Sequence, residues 1–249
     1  MLKRVAKSVV IVLIVASLLT STVLANQTTP HNGSFPPGYD PESQKNSPLY
    51  QQKLQVARDT LSNMSLSTIG VDKQILYLGT SGEYREPNLP AYVNYCGPSS
   101  TRVALRARMA PSNIPSLDAV GICENIDPGW GVYMTSITSC LNSYLNSTFY
   151  WNDAASDANQ IANWVKSDVD QSYAVVTGIY TQNIPGWYAA VYHIVTLYGY
   201  DFTYVSSADK QINYIDTSSV AAGYTGAYFN KVNLTWLWTR VSQNNAQAW

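Results

Sequence analysis

The apolar period of this chain changes along its length, from the 3.6-residue spacing of helices to the two-residue alternation of strands. Leu54, Ala57 and Leu61 share a helical face from about Tyr50, and Val103, Ala104 and Ala107 share another over Ser99–Met109. Met134–Leu145 and Ala158–Val169 read as further helices, the latter capped by Ser156 or Asp157, and Pro115-Ser116-Leu117-Asp118 as one more helix start. A strand over Gln74–Leu78 comes early. The later sequence reads mainly as strands, at Tyr173–Tyr180, Ala190–Tyr200 and Ile212–Asp216, punctuated by Pro185-Gly186 and the turn-like Ser206–Asp209. Helices first and an antiparallel sheet afterwards make an α+β pattern.

The beginning of the chain belongs to neither regime. Lys3, Arg4 and Lys7 precede an uncharged apolar run from Val9 through Leu19, which closes on Val23-Leu24-Ala25. That is the layout of a signal peptide, residues 1–25, cut after Ala25. The apolar run falls short of the ~20 residues that span a bilayer, so a secreted or extracytoplasmic protein with no stable membrane insertion is expected after cleavage. Removal of the signal takes three of 15 basic residues and none of 16 acidic ones, leaving a net charge of −4. Nucleic acid is therefore not an expected partner. Residues 26–48 are rich in Pro, Asn, Ser and Gln, with Pro36-Pro37-Gly38 and no apolar periodicity, and read as a flexible linker or pro-segment. The rest, 49–249, is long enough for one domain with a substantial core, expected to be a monomer.

Three cysteines in an exported chain leave at least one unpaired. Cys123 and Cys140 bracket a short stretch and form either a disulfide or a pair of reduced, buried thiols. Cys96 stands apart because Cys96-Gly97-Pro98 introduces a helix. Pro98 fits a first helical turn, where a missing N–H costs nothing, and the unsatisfied amides of a helix start favour negative charge on a thiol placed there. Gly97 leaves the adjacent backbone open to a substrate carbonyl. A buried cysteine at a helix start is the structural alternative.

A thiol nucleophile needs a base, commonly histidine. His31 lies in the Pro-rich tail, so the folded region offers only His193. In Val191-Tyr192-His193-Ile194-Val195, alternation places the ring on the face of Val191, Val195 and Leu197. The next strand, Asn213-Tyr214-Ile215-Asp216, offers Asp216 as the acceptor that orients the imidazole. Asp201 and Asp209 lie in or near the connection and are poorer choices. Asp216 could instead hold the following Thr217-Ser218 turn.

The order of these segments resembles a known family. Asn94-Tyr95-Cys96-Gly97-Pro98-Ser99 is similar to the Cys-Gly-Pro-Ala/Ser nucleophile motif of the bacteriocin-processing (double-glycine leader) cysteine peptidases and their secreted relatives, cysteine peptidase family thirty-nine. His193-Ile194-Val195-Thr196-Leu197-Tyr198-Gly199-Tyr200 resembles their histidine strand, and Tyr214-Ile215-Asp216 their third motif. The resemblance implies a papain-like fold, with the nucleophile helix packed on an antiparallel sheet that carries the base and its orienter. It implies cleavage of peptides or proteins through a thioester: Cys96 attacks, His193 moves the proton, Asp216 fixes the ring, and no cofactor takes part. The family places a glutamine six residues before the cysteine as an oxyanion donor; here that position is Pro90. Asn94 and Asn88 are the nearby amides that could substitute, with the Cys96 N–H as the other half of the hole.

Other chemistries find less support. Two histidines, one of them in the tail, and no Cys-x-x-Cys do not furnish an ordinary zinc site. No phosphate loop or dinucleotide fingerprint is present. The alternative to a peptidase is a weak or inactive relative that binds cell wall or glycan. It is suggested by 19 Tyr and 7 Trp against 4 Phe, with Trp236 and Trp238 close together. Filling the core between helix and sheet is the preferred reading of the same rings.

Overall fold

The computed structural model describes residues 44–66, 72–203 and 210–249. The expected signal peptide, most of the linker and the Ser206–Asp209 turn lie outside the described residues. Helix α1 (Pro48–Leu66) is followed by strand β1 (Lys73–Ile75), then α2 (Cys96–Arg106), α3 (Leu117–Cys123) and α4 (Met134–Leu145). Next come β2 (Asn152–Asp153), α5 (Ala158–Asp170), β3 (Val175–Tyr180), β4 (Tyr192–Asp201), β5 (Gln211–Ile215), β6 (Phe229–Asn233), α6 (Leu234–Val241) and β7 (Gln247–Ala248). The molecule is α+β, and every strand pair in its sheet is antiparallel, in the order β2-β7-β3-β4-β5-β6 with β1 also on β4.

The caps explain where several helices start. The Ser116 hydroxyl accepts from the Ala119 N–H at 3.2 Å, and Asp157 accepts from the Gln160 N–H at 2.9 Å, so Asp157 rather than Ser156 caps α5. Asn146 closes α4 in the left-handed conformation, φ 47°, which asparagine tolerates better than most side chains. Helix α2 begins at Cys96 itself, three residues before the sequence reading, and ends at Arg106, with Pro98 inside the first turn.

Both faces of the sheet are covered. Val175, Ile179, Val195, Leu197, Ile212 and Tyr214 pack with Tyr50 and Ala57 of α1, Ile161, Trp164 and Val165 of α5, and Leu237 and Val241 of α6. Val176, Ile194, Tyr198 and Ile215 face Val103, Ala104 and Leu105 of α2 and Ile137 and Leu141 of α4. Burial on two sides is why the central strands read as near-continuous apolar runs. A bulge in β4 between Leu197 and Gly199 reverses the parity, so that Tyr198 joins one core and Tyr200 the other.

Several expected limits move. β1 is Lys73–Ile75, not Gln74–Leu78: the Leu76 N–H still reaches the Tyr198 carbonyl at 2.9 Å, but Tyr77 is 70% exposed and the chain leaves the sheet. Asp216 lies one residue past β5. The C-terminal region was expected as strands, yet Leu234–Val241 is helical, with Asn233 accepting from the Trp236 N–H at 2.6 Å. The helices are therefore not all N-terminal to the sheet.

Candidate active site

Two side chains tie the start of α2 to the start of β4. The Ser100 hydroxyl donates to the Ile194 carbonyl at 3.1 Å, and the Thr196 hydroxyl donates to the Ser100 carbonyl at 3.0 Å. Cys96 lies one helical turn before Ser100, and His193 one residue before Ile194. These bonds hold the helix that carries the thiol on the strand that carries the imidazole.

His193 and Asp216 form a buried pair. Nε2 lies 3.0 Å from Asp216 Oδ1, and the two side chains are 3% and 0% exposed. In the extrapolated ladder Asp216 falls opposite Val195, on the face that carries His193, one diagonal step away. Asp216 also accepts from the Ser218 N–H at 3.0 Å and from the Trp187 indole N–H at 3.1 Å. The Ser218 hydroxyl is 3.2 Å from His193 Nε2, and the Trp187 ring lies 4.7 Å from the imidazole, centroid to centroid. Cys96 is partly exposed and close enough to His193 to favour the charged imidazole. Since Nε2 faces Asp216, Nδ1 is the nitrogen left for the sulfur.

The electrostatics follow from this packing. Burial disfavours a charged imidazole, but the Asp216 charge, its hydrogen bond and the contact with Cys96 raise His193 to about 10. Burial likewise acts against an ionised Asp216. The His193 charge and the hydrogen bonds from His193, Ser218 and Trp187 outweigh it and hold the carboxyl below its usual value. At neutral pH the pair is an imidazolium against a carboxylate.

Trp187, Ser218 and Glu86 had no sequence signal. Glu86 is 3% exposed, its N–H donates to the Thr217 carbonyl at 2.8 Å, and neither carboxyl oxygen has a hydrogen-bond partner among the described residues. Burial, with help from the Asp216 charge and against that of His193, pushes its pKa up to about 8. Asn94 Nδ2 donates to the Pro128 carbonyl at 2.6 Å, and exposed Asn88 accepts from the Ala221 N–H at 2.7 Å through Oδ1. Asp201 pairs with Lys231 at 3.2 Å, at the end of β4 away from His193. Trp236 and Trp238 are partly buried against the core, and the Arg240 guanidinium lies 4.2 Å over the Trp236 ring.

Cys123 and Cys140 are joined by a disulfide that links α3 to α4, and Cys96 is the free cysteine. Next to Cys96, Gly97 is required by close packing. A Cβ there would meet Val132 Cγ1 at 2.1 Å and Glu124 Oε2 at 3.2 Å. Gly97→Ala should therefore destabilise the fold by about 1–3 kcal/mol, the usual range for overpacking, measured by urea unfolding. Adding Val132→Ala should recover most of that loss; equal instability of the single and double variants would show that another contact is responsible.

Among the described residues no group of three or more His, Cys, Asp or Glu is arranged to hold a metal, and no helix is long and apolar enough to cross a membrane. No protein-family model matches this chain, and no curated protein sequence matches it.

Proposed function

We propose that this chain is an exported cysteine peptidase of papain-like type, akin to the bacteriocin-processing peptidases, that cuts peptide bonds through a thioester on Cys96. The observation that carries this reading is the linked series Cys96, His193, Asp216, with the thiol partly exposed at a helix start and the base held by a buried carboxylate. In the proposed cycle the imidazole takes the thiol proton, and the sulfur adds to the substrate carbonyl. His193 then gives that proton to the departing amine, and water, deprotonated by the same ring, releases the acid. Asp216 keeps the ring oriented throughout, with Trp187 and Ser218 fixing Asp216 in turn.

The test uses the disulfide to advantage, because Cys96 is the free thiol. Iodoacetamide on the native protein should add a single carboxamidomethyl group, located on Cys96 by mass mapping. Cleavage of a peptide library should fall in proportion to that label. Protein fully labelled on Cys96 that still cleaves at the parent rate would remove the thiol from the mechanism. The glycan-binding alternative rests on Trp236 and Trp238; their packing against the core gives it no specific support.

A further inference from the structure

Two adjacent asparagines after α6 make different connections to the domain. Asn245 serves the outer part of the sheet: its side chain donates to the Ala155 carbonyl at 2.7 Å and accepts from the Ala155 N–H at 3.1 Å. Asn244 reaches inward. Its Nδ2 donates to the Ile179 carbonyl on β3 and to the His193 carbonyl on β4, both at 3.2 Å. Ile179 and His193 are partners across the β3–β4 ladder, so one amide nitrogen spans the rung that carries the imidazole. A carboxamide nitrogen has two N–H donors, and here each finds a carbonyl. The residue is itself held at both ends. The Asn244 N–H donates to the Val241 carbonyl and its main-chain carbonyl accepts from the Ala246 N–H, both at 2.9 Å.

The sheet makes room for this amide. Gly178 stands in the interior of β3, where a glycine weakens the strand and marks the close approach of another group. A Cβ there would meet the Asn244 main-chain oxygen at 2.4 Å and its Nδ2 at 2.8 Å. The rung it spans is also the one with least support. β5 pairs with β4 only from Thr196 onward, so at His193 the strand has β3 alone beside it in the ladder. We propose that Asn244, seated over Gly178, is a positioning residue for the base: it fixes the backbone of β4 at His193 and so sets the imidazole between Cys96 and Asp216. This rests on the thiol-hydrolase reading above. Asp216, Ser218 and Trp187 secure the ring and its carboxylate, and Ser100 and Thr196 tie β4 to α2 beyond His193. Asn244 adds a hold on the main chain at His193 itself. Reacting groups displaced by about 1 Å can cost ~10² in rate, which is the scale on which such a hold acts.

Asn244→Ala and Asn245→Ala test this as a matched pair, with kcat and KM for peptide cleavage set beside urea unfolding. Each removes side-chain hydrogen bonds to the main chain, but only the first touches His193. Both should unfold at lower urea than the parent. Asn244→Ala should lose about 10–10² in kcat with KM within about threefold, while Asn245→Ala keeps kcat within about threefold. Asn244→Ser retains one donor and should fall between the parent and Asn244→Ala in kcat; it takes the place of the Ala variant if that one does not fold. Parental kcat in Asn244→Ala, or in Asn244→Ser standing in for it, overturns the assignment. So does an equal loss of kcat in Asn245→Ala, because a loosened C-terminal segment would then account for both. Cys96→Ala is measured alongside: if it cleaves like the parent, the thiol-hydrolase reading fails, while full dependence on Cys96 with indifference to Asn244 removes Asn244 alone.

Discussion

Asp216→Ala should lose both turnover and stability, whereas Cys96→Ala should abolish turnover and leave stability nearly unchanged. The difference follows from burial. Cys96 is partly exposed at the start of α2, and removing its sulfur leaves no charge without a partner. Asp216 is wholly buried, and its loss leaves His193, the Trp187 N–H and the Ser218 N–H without their common acceptor. Breaking a buried pair from one side costs roughly 3–5 kcal/mol, and loss of the orienting carboxylate in a triad costs about 10⁴ in kcat. The pH dependence separates this pair from a general loosening. His193 is raised from 6.5 to about 10 in the folded protein, so its contribution to stability is complete below pH 6.5 and is lost as pH rises through 10. The Asp216→Ala protein should lack that decline. Urea unfolding of both variants at pH 6 and pH 10, beside peptide cleavage at pH 6.5, measures each effect. If Asp216→Ala unfolded with the parent's pH profile, the pair would not be the source of the shift.

The elements legible in the sequence were those defined by neighbours along the chain. Ser116, Asp157 and the Met134–Leu145 stripe specify helices through contacts three or four residues away. The order of Cys96, His193 and Asp216 could also be read, because one cysteine and one histidine remained after the linker and the Cys123–Cys140 pairing were set aside. Helix α6 was legible in principle, with Asn233 as cap and Leu234, Leu237 and Val241 on one face. The neighbouring Trp236 and Trp238 were weighed as core rings against sugar-stacking ones, and the helix they sit on went unread. What could not be read depends on distant contacts. Strand β7 enters the sheet between β2 and β3 from the far end of the domain. Trp187 reaches Asp216 across 29 positions, and the burial of Glu86 is produced by a loop more than a hundred residues away. A surface carboxylate and a buried acid are the same letter, and only the packed chain separates them.

Glu124 extends that lesson to stability. It is wholly buried at the end of α3, accepts from the Thr101 hydroxyl through Oε1, and has no partner at Oε2 among the described residues. Burial pushes its pKa up to about 8, partly offset by the Thr101 hydrogen bond. A carboxyl whose folded pKa exceeds its unfolded value of 4.5 leaves the folded state binding more protons between the two. Stability is then complete below pH 4.5 and is lost as pH rises through 8. At 1.36 kcal/mol per pKa unit the loss approaches about 4–5 kcal/mol. Glu86 adds a second decline of the same sign over the same range. Glu124→Gln should therefore match the parent within about 1 kcal/mol at pH 5 and exceed it by several kcal/mol at pH 9, since the amide has no charge to desolvate. Paired urea titrations at the two pH values decide the matter. Oε2 lies beneath Gly97, in the first turn of α2, where helix amides favour an anion. If those amides stabilised an ionised Glu124, the parent and Gln curves would run parallel across the range, and the buried charge would be compensated by the same helix start that carries Cys96.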